Sequence, residues 1–214
     1  MKKKICYALC ALLAGAFMAG CSDDGNEAFV VNTVEGDGAE PTIVVKAVEM
    51  DGVVADFFNA ELPGYSSEDA KRTSGPRSKA FFYDKEQDWY IEESRVHVIN
   101  SRQELADIYQ GDRELPEIDF GSYTLIVGQV RVGYKSYLVE KQLTSDDDGL
   151  HLYLHVRNDN EVFECTNSNR YYWALYPKQL QQLVSLVVYG ECPKAPEFGG
   201  RTEWRVSPDG TLKR

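Results

Sequence analysis

The sequence lacks an apolar segment long enough to cross a membrane, and it is short of basic residues. Its longest apolar run, residues 5–18, falls below the roughly 20 residues that a membrane-spanning helix requires. The 214 residues include 23 lysines and arginines against 34 aspartates and glutamates, for a formal net charge of -11. An acidic chain repels phosphate backbones and anionic lipid headgroups, so we expect no nucleic-acid partner and no electrostatic attachment to a membrane.

Motifs for catalysis and metal binding are also missing from the sequence. There is no Gly-x-Ser-x-Gly nucleophile elbow, and the chain has only 3 histidines. His151 and His155 alternate with Leu152 and Leu154 at strand period. This spacing places the two imidazoles about 13 Å apart along one face, too far to share an ion. We therefore predict no metal site, no cofactor and no catalytic residue.

The first residues have the three parts of an export signal. Three lysines at positions 2–4 precede the apolar run, and Ala19-Gly20-Cys21 follows it as a small-residue cleavage site. This segment resembles the lipobox of bacterial lipoproteins. The resemblance implies that residues 1–20 are removed and that Cys21 is acylated, palmitate included, which anchors the mature chain in a membrane. The alternative is an ordinary secretory signal followed by a cysteine that is not acylated.

The residues after Cys21 are Ser22-Asp23-Asp24. They are similar to the acidic export tag of surface lipoproteins of the Bacteroidota. That similarity implies a lipid-anchored protein of the outer membrane whose domain faces the outside of the cell. A generic acidic tether on a periplasmic protein is the alternative.

The remaining chain divides into a tether, an N-terminal segment and a main domain. Residues 21–41 are acidic and contain glycine, as is typical of a flexible tether. In residues 42–79, a β-branched run at 43–48 meets Asp51-Gly52, a hairpin turn signal, so we expect a returning strand at 53–58 and then an exposed polar loop. Residues 80–214 hold the main domain.

The main domain is predicted to be rich in strands. Strands are expected at 80–83, 89–99, 123–132, 136–143, 150–156, 170–176, 183–189 and 202–206. Ser101 to Glu104 fits a capping box that begins a short helix, and a helical turn is expected at 177–182. Most connections are too short for helical crossovers. We therefore predict an α+β, strand-rich fold: an antiparallel sheet with one short capped helix and a small N-terminal β extension.

Two cysteines remain after the leader and the anchor are set aside, Cys165 and Cys192. An exported compartment is oxidising, so the sequence predicts a disulfide between them. The alternatives are two buried free thiols and, less favoured, a nucleophilic thiol at Cys165.

An aromatic cluster at residues 171–173 suggests a binding surface. Adjacent strand residues point to opposite faces, so Tyr171 and Trp173 share one face while Tyr172 lies on the other. We hypothesise that one of these faces is an exposed aromatic platform for a sugar or a partner protein. Ordinary core packing of both faces is the alternative.

Residues 96–189 resemble lipoproteins that carry a PrcB-type C-terminal domain, a module associated with a surface protease complex. The resemblance depends on the capped helix, on the segment Leu115 to Phe120 entering a buried strand, and on Gly133-Tyr134 opening the next one. The sequence departs from the family where Val132 replaces the first glycine of a pair. The resemblance implies a protein-binding role without catalysis.

Three functional hypotheses follow. The first is a non-enzymatic surface lipoprotein that binds a protein partner or stabilises a complex, the second a small glycan-binding module, and the third a hydrolase. An open sheet edge or apolar patch favours the first. An exposed aromatic group flanked by amides and acids favours the second, and a deep pocket with converging titratable groups favours the third.

Overall fold

The computed structural model describes residues 43–50, 52–71, 75, 77–160 and 167–213, which belong to one compact unit. Three helical segments occur in these ranges, α1 (Gly52–Glu61), α2 (Ser67–Ala70) and α3 (Arg102–Ile108), together with a 3₁₀ turn at Pro196–Phe198. The strands are β1 (Ile43–Val45), β2 (Tyr83–Asp84), β3 (Trp89–Tyr90), β4 (Arg95–Ile99), β5 (Tyr123–Gly133), β6 (Tyr137–Ser145), β7 (Leu150–Arg157), β8 (Asn167–Pro177), β9 (Leu183–Glu191), β10 (Gly200–Val206) and β11 (Leu212–Lys213).

The strands form two main sheets and a small hairpin. One sheet has six strands in the order β1-β6-β7-β9-β10-β11, and the other has three in the order β4-β5-β8. The remaining pair, β2 and β3, makes the hairpin. The strand-rich character is as predicted from the sequence.

The prediction of a wholly antiparallel sheet is wrong at one position, because β7 and β9 pair in parallel. The chain leaves β7 at Arg157, crosses to the three-stranded sheet as β8, and returns to the first sheet at Leu183. A parallel pair needs a long crossover connection, and here a strand of the other sheet takes the place usually held by a helix.

The two sheets pack face to face around the first core. Along β7 buried leucines alternate with half-buried polar residues, as period 2 requires. Their partners across the core include Val130 of β5 and Tyr172 of β8. A Cβ on Gly128 would come within 2.2 Å of the Tyr172 ring, so glycine at that position makes room for the tyrosine.

Helices α1 and α3 cover the other face of the three-stranded sheet and create the second core. Leu105 of α3 and Phe58 of α1 are completely buried there. Strand β5 therefore lies between two cores: Leu125 and Val127 face the helices, while Ile126 and Val130 face the other sheet. The prediction that this strand is buried on both sides is confirmed.

The predicted returning strand at 53–58 is wrong, because these residues form helix α1. Val54, Phe57 and Phe58 have the i, i+3, i+4 spacing of one helical face, and they are 8 %, 2 % and 0 % exposed. Burial of that face against the sheet outweighs the β preference of two consecutive valines. The expected helical turn at 177–182 is also not found, since β8 runs to Pro177 and the next residues are not helical.

Helix α3 begins where the sequence predicts. The Ser101 hydroxyl accepts a hydrogen bond from the Glu104 N–H at 3.1 Å, which satisfies one of the free N–H groups of the first turn. The Glu104 carboxylate, however, accepts from the Asn100 N–H rather than from Ser101.

Candidate binding groove at the β2–β3 hairpin

The hairpin of β2 and β3 is built by local hydrogen bonds. One carboxylate oxygen of Asp84 accepts from the backbone N–H groups of Glu86 and Gln87, both at 3.0 Å, and this bonding closes the turn. The rings of Tyr83 and Tyr90 then meet edge to face across the two strands, with centroids 5.2 Å apart. Trp89, the residue between the turn and this pair, remains 57 % exposed.

A groove of about 1060 Å³ runs along this hairpin, and Trp89 forms part of its wall. A second hollow of about 440 Å³ adjoins it and shares four lining residues with it: Arg77, Tyr83, Lys85 and Gln110. We name the two together the hairpin groove. Its size suits several residues of an extended ligand.

Cations stand over the tyrosine rings of the hairpin groove. The Arg77 guanidinium carbon lies 5.0 Å from the Tyr90 ring centroid, and the Lys79 Nζ lies 4.6 Å from that of Tyr83. The same Nζ is 5.9 Å from the Tyr90 ring, so both cations converge on one aromatic surface. Among the described residues, neither cation forms an ion pair with a carboxylate.

Two buried polar atoms that line the groove have no hydrogen-bond partner in the described part of the chain. They are the side-chain oxygen of Gln110 and the Nε of Arg95. Buried polar groups are nearly always satisfied by protein or by water. Both atoms are shielded from the groove surface, so a ligand reaches them only if a neighbouring side chain moves.

A different polar constellation lies on the outer face of the six-stranded sheet. The His151 Nδ1 is 2.8 Å from the Ser185 hydroxyl, and its Nε2 is 3.0 Å from the Asp146 carboxylate. Burial opposes ionisation of Asp146. The hydrogen bond and charge of His151, with the backbone N–H groups of the turn, outweigh this effect and hold the pKa of that carboxyl below its ordinary value.

This serine–histidine–aspartate set has the residue types of a catalytic triad but not its arrangement. The hydroxyl lies on Nδ1 and the carboxylate on Nε2, the reverse of the serine-protease order. Ser185, the third residue of β9, is only 5 % exposed, so its oxygen is poorly accessible to a substrate carbonyl. The set joins β7, β9 and the β6–β7 turn across the sheet.

The predicted aromatic face at Tyr171 and Trp173 is packed against the segment 78–82 and helix α1, respectively. Tyr171 is 7 % exposed, stacks on Phe82 at 5.8 Å, and accepts a hydrogen bond from the Ser78 N–H. Trp173 stacks on Phe58 at 5.0 Å and donates its ring N–H to Asn59. These two side chains belong to the second core and its border, so they offer no open platform.

The other predicted site residues divide between described and undescribed parts of the chain. Cys21, the Ser22-Asp23-Asp24 tag and the tether lie outside the described residues, as does Cys165. Cys192 is described and half-buried, and burial together with Glu191 and Glu197 raises the pKa of its thiol. The Cys165–Cys192 disulfide and the lipidation stay predictions.

The open edge of strand β6 carries protective features. Strand β1 pairs only with Leu143 to Ser145, and no other described strand lies beside the rest of that edge of β6. A register shift follows Leu138, and the Lys141 ammonium crosses to donate to the Trp173 carbonyl of β8. Bulges and lysines are devices by which proteins block strand addition.

Comparison of the chain with protein-family models, curated proteins and solved structures found no match. The resemblance to PrcB-type domains therefore stays a prediction. In the described ranges, no helix has the length and apolar character that crossing a membrane requires. The same ranges contain no group of three or more histidine, cysteine, aspartate or glutamate side chains placed to hold a metal ion.

Sequence reasoning did not find the hairpin groove. The signal in the sequence was the aromatic pair Trp89-Tyr90, which directly follows the polar segment 84–88. Arg77 and Lys79 lie a few residues before that segment. The cluster around Ser185 had no comparable signal, because Ser185 lies 34 positions from His151.

Proposed function

We propose that the mature chain is a non-enzymatic lipoprotein, anchored through Cys21 at the outer surface of the cell, that binds a glycan in the hairpin groove. The observation that carries this proposal is the exposed indole of Trp89 in a groove that also presents the Gln110 amide and several carboxylates. Aromatic faces stack on the C–H faces of sugar rings, while amides and carboxylates bind hydroxyl groups.

The anchor follows from the sequence features of residues 1–24. An acidic domain is not drawn to anionic membranes, so acyl chains on Cys21 supply the attachment. The composition of residues 21–41 predicts a tether between this anchor and the domain.

Calorimetry with soluble polysaccharides tests the glycan proposal, using the mature chain with Cys21→Ala. We expect Trp89→Ala to weaken binding about tenfold, since an aromatic stacking contact contributes about 0.5–1.5 kcal/mol beyond its buried area. Leu180→Ala is the matched control, because Leu180 is 92 % exposed and does not line the groove. Equal affinity of the Trp89→Ala chain and the unsubstituted one would contradict the proposal.

A protein partner is the second candidate, and one observation favours it. Ile43, Val44 and Val139 are 64 %, 51 % and 50 % exposed, and all three belong to β1 and the adjoining strand β6. Val44 pairs with Thr144, five positions along β6 from Val139, so these side chains would give a partner separate apolar contacts along the two strands. The bulge and Lys141 argue against addition of a strand there, so contact would be through side chains.

Cross-linking on intact cells followed by pull-down tests the second candidate. A specific partner should be lost from the Val139→Lys chain and retained by Val53→Lys, whose valine is 77 % exposed on α1. If both variants retain the partner, strand β6 is not part of the surface that binds it.

A further inference from the structure

We infer that the hairpin groove selects an anionic sugar, one that carries carboxylate or sulfate groups, and that Arg77 and Lys79 bind the anionic substituent. This inference builds on the proposed glycan-binding function and adds the class of ligand. It depends on the convergence of two unpaired cations on an aromatic surface within a groove.

The charges around the groove distinguish these cations from the carboxylates beside them. Asp84 is used in the hairpin turn, Asp88 accepts from the Tyr83 hydroxyl, and Glu92 pairs with Arg131 at 2.8 Å. Three of the five acidic side chains that line the larger hollow are therefore engaged within the protein, while Glu86 and Glu93 form no ion pair among the described residues. Arg77 and Lys79, by contrast, have aromatic rings as their described neighbours and no carboxylate partner.

In the described part of this acidic chain several cations form no ion pair, and Arg77 and Lys79 are two of these that converge on the same pair of tyrosine rings. A local positive site focuses the field of the groove on an anionic substituent of a ligand.

The side chains are arranged so that a sugar and its anionic group are bound together. The two cations lie on the side shared with the smaller hollow, and Trp89 lines the larger one. Arg77 lines both hollows and Lys79 lines the smaller one. A sugar ring held in the larger hollow by Trp89 can therefore extend an acidic substituent toward these two cations.

The test compares polymers that share a backbone and differ in charge. Dextran, carboxymethyl dextran and dextran sulfate are titrated into the mature chain with Cys21→Ala at low and high salt. Polygalacturonate is included as a second carboxylated backbone and poly-glutamate as a polyanion without sugar. We expect the charged polysaccharides to bind about tenfold more tightly than dextran, with affinity falling as salt rises.

Two double variants locate the effect. The Arg77→Gln, Lys79→Gln chain should lose this preference and bind the charged and neutral dextrans alike. Both side chains are exposed, so the fold should not change. The Arg102→Gln, Arg201→Gln chain makes the same change in net charge at exposed ion pairs outside the groove, and it should keep the preference.

Each outcome decides between the inference and the broader proposal. Equal binding of dextran and its charged derivatives, unchanged in the Arg77→Gln, Lys79→Gln chain, would overturn the anionic preference while leaving glycan binding intact. Equal binding of poly-glutamate would overturn the sugar in favour of an acidic peptide. No binding of any polysaccharide in the panel, neutral or charged, would count against both the inference and the glycan proposal.

Discussion

We expect His97 to make the folded protein less stable in mild acid. Its ring lies on β4 and stacks on Phe82 with centroids 6.0 Å apart. Burial, assisted by the positive charge of Arg95 and opposed by Asp209, lowers the pKa of His97 to about 4. The unfolded chain holds this histidine near its ordinary pKa of about 6.5.

The direction of the effect follows from the difference in proton binding. Between pH 6.5 and pH 4 the unfolded chain binds the His97 proton and the folded chain does not, so acid favours unfolding. The contribution of His97 to stability is complete above pH 6.5 and is lost as the pH falls toward 4. From pH 7 to pH 5 the free energy of unfolding should fall by about 2 kcal/mol from this residue alone.

Urea denaturation at pH 7 and pH 5 measures this loss, with His97→Gln as the comparison. The unsubstituted chain should lose about 2 kcal/mol more than the His97→Gln chain over this interval, since the carboxylates are common to both. An NMR titration of the His97 ring should give a midpoint near 4. Equal losses in the two chains, or a midpoint above 6, would refute the reasoning.

Three further predictions concern the anchor, the cysteines and the second core. Cys21→Ala should move the protein from the membrane fraction to the soluble fraction, and sedimentation after a high-salt wash would contradict lipidation. Neither Cys165 nor Cys192 should react with maleimide in the denatured, unreduced protein, and loss of their bridge should cost about 2–5 kcal/mol of stability; two reactive thiols would exclude the disulfide. Phe58→Ala should destabilise the fold by about 3–5 kcal/mol in urea titrations, whereas Val53→Ala, at a 77 % exposed position, should stay within about 0.5 kcal/mol; equal effects would mean that α1 is not packed as described.

Some elements could be predicted from the sequence because residues close together in the chain determine their type and their burial. The continuous apolar run of β5 predicts burial on both faces, and the alternation of leucines in β7 predicts one buried face. The hairpin of β6 and β7 around residues 146–149 and the start of α3 at Ser101 were also predictable from turn and cap chemistry. Each of these signals acts over a few residues.

Tertiary contacts decided the rest, because more than one local structure was compatible with the sequence. The segment 53–58 has β-branched residues that suit a strand and a spacing of Val54, Phe57 and Phe58 that suits a helix. One face of the three-stranded sheet needs a covering layer. As a helix, this segment buries Val54, Phe57 and Phe58 together against that face. The parallel pairing of β7 with β9 likewise depends on where β8 crosses between the sheets.

The candidate sites show the same division. Tyr171 and Trp173 were recognised as aromatic, but only the positions of Phe82 and of helix α1 determined that they are packed rather than open. The hairpin groove requires Arg77 and Lys79 to fold back over the rings of Tyr83 and Tyr90, a geometry that no local period encodes. The sequence alone therefore determined which types of side chain were available to bind a ligand. The packing of distant segments decided which of these side chains meet, because burial and charge pairing depend on residues far apart in the chain.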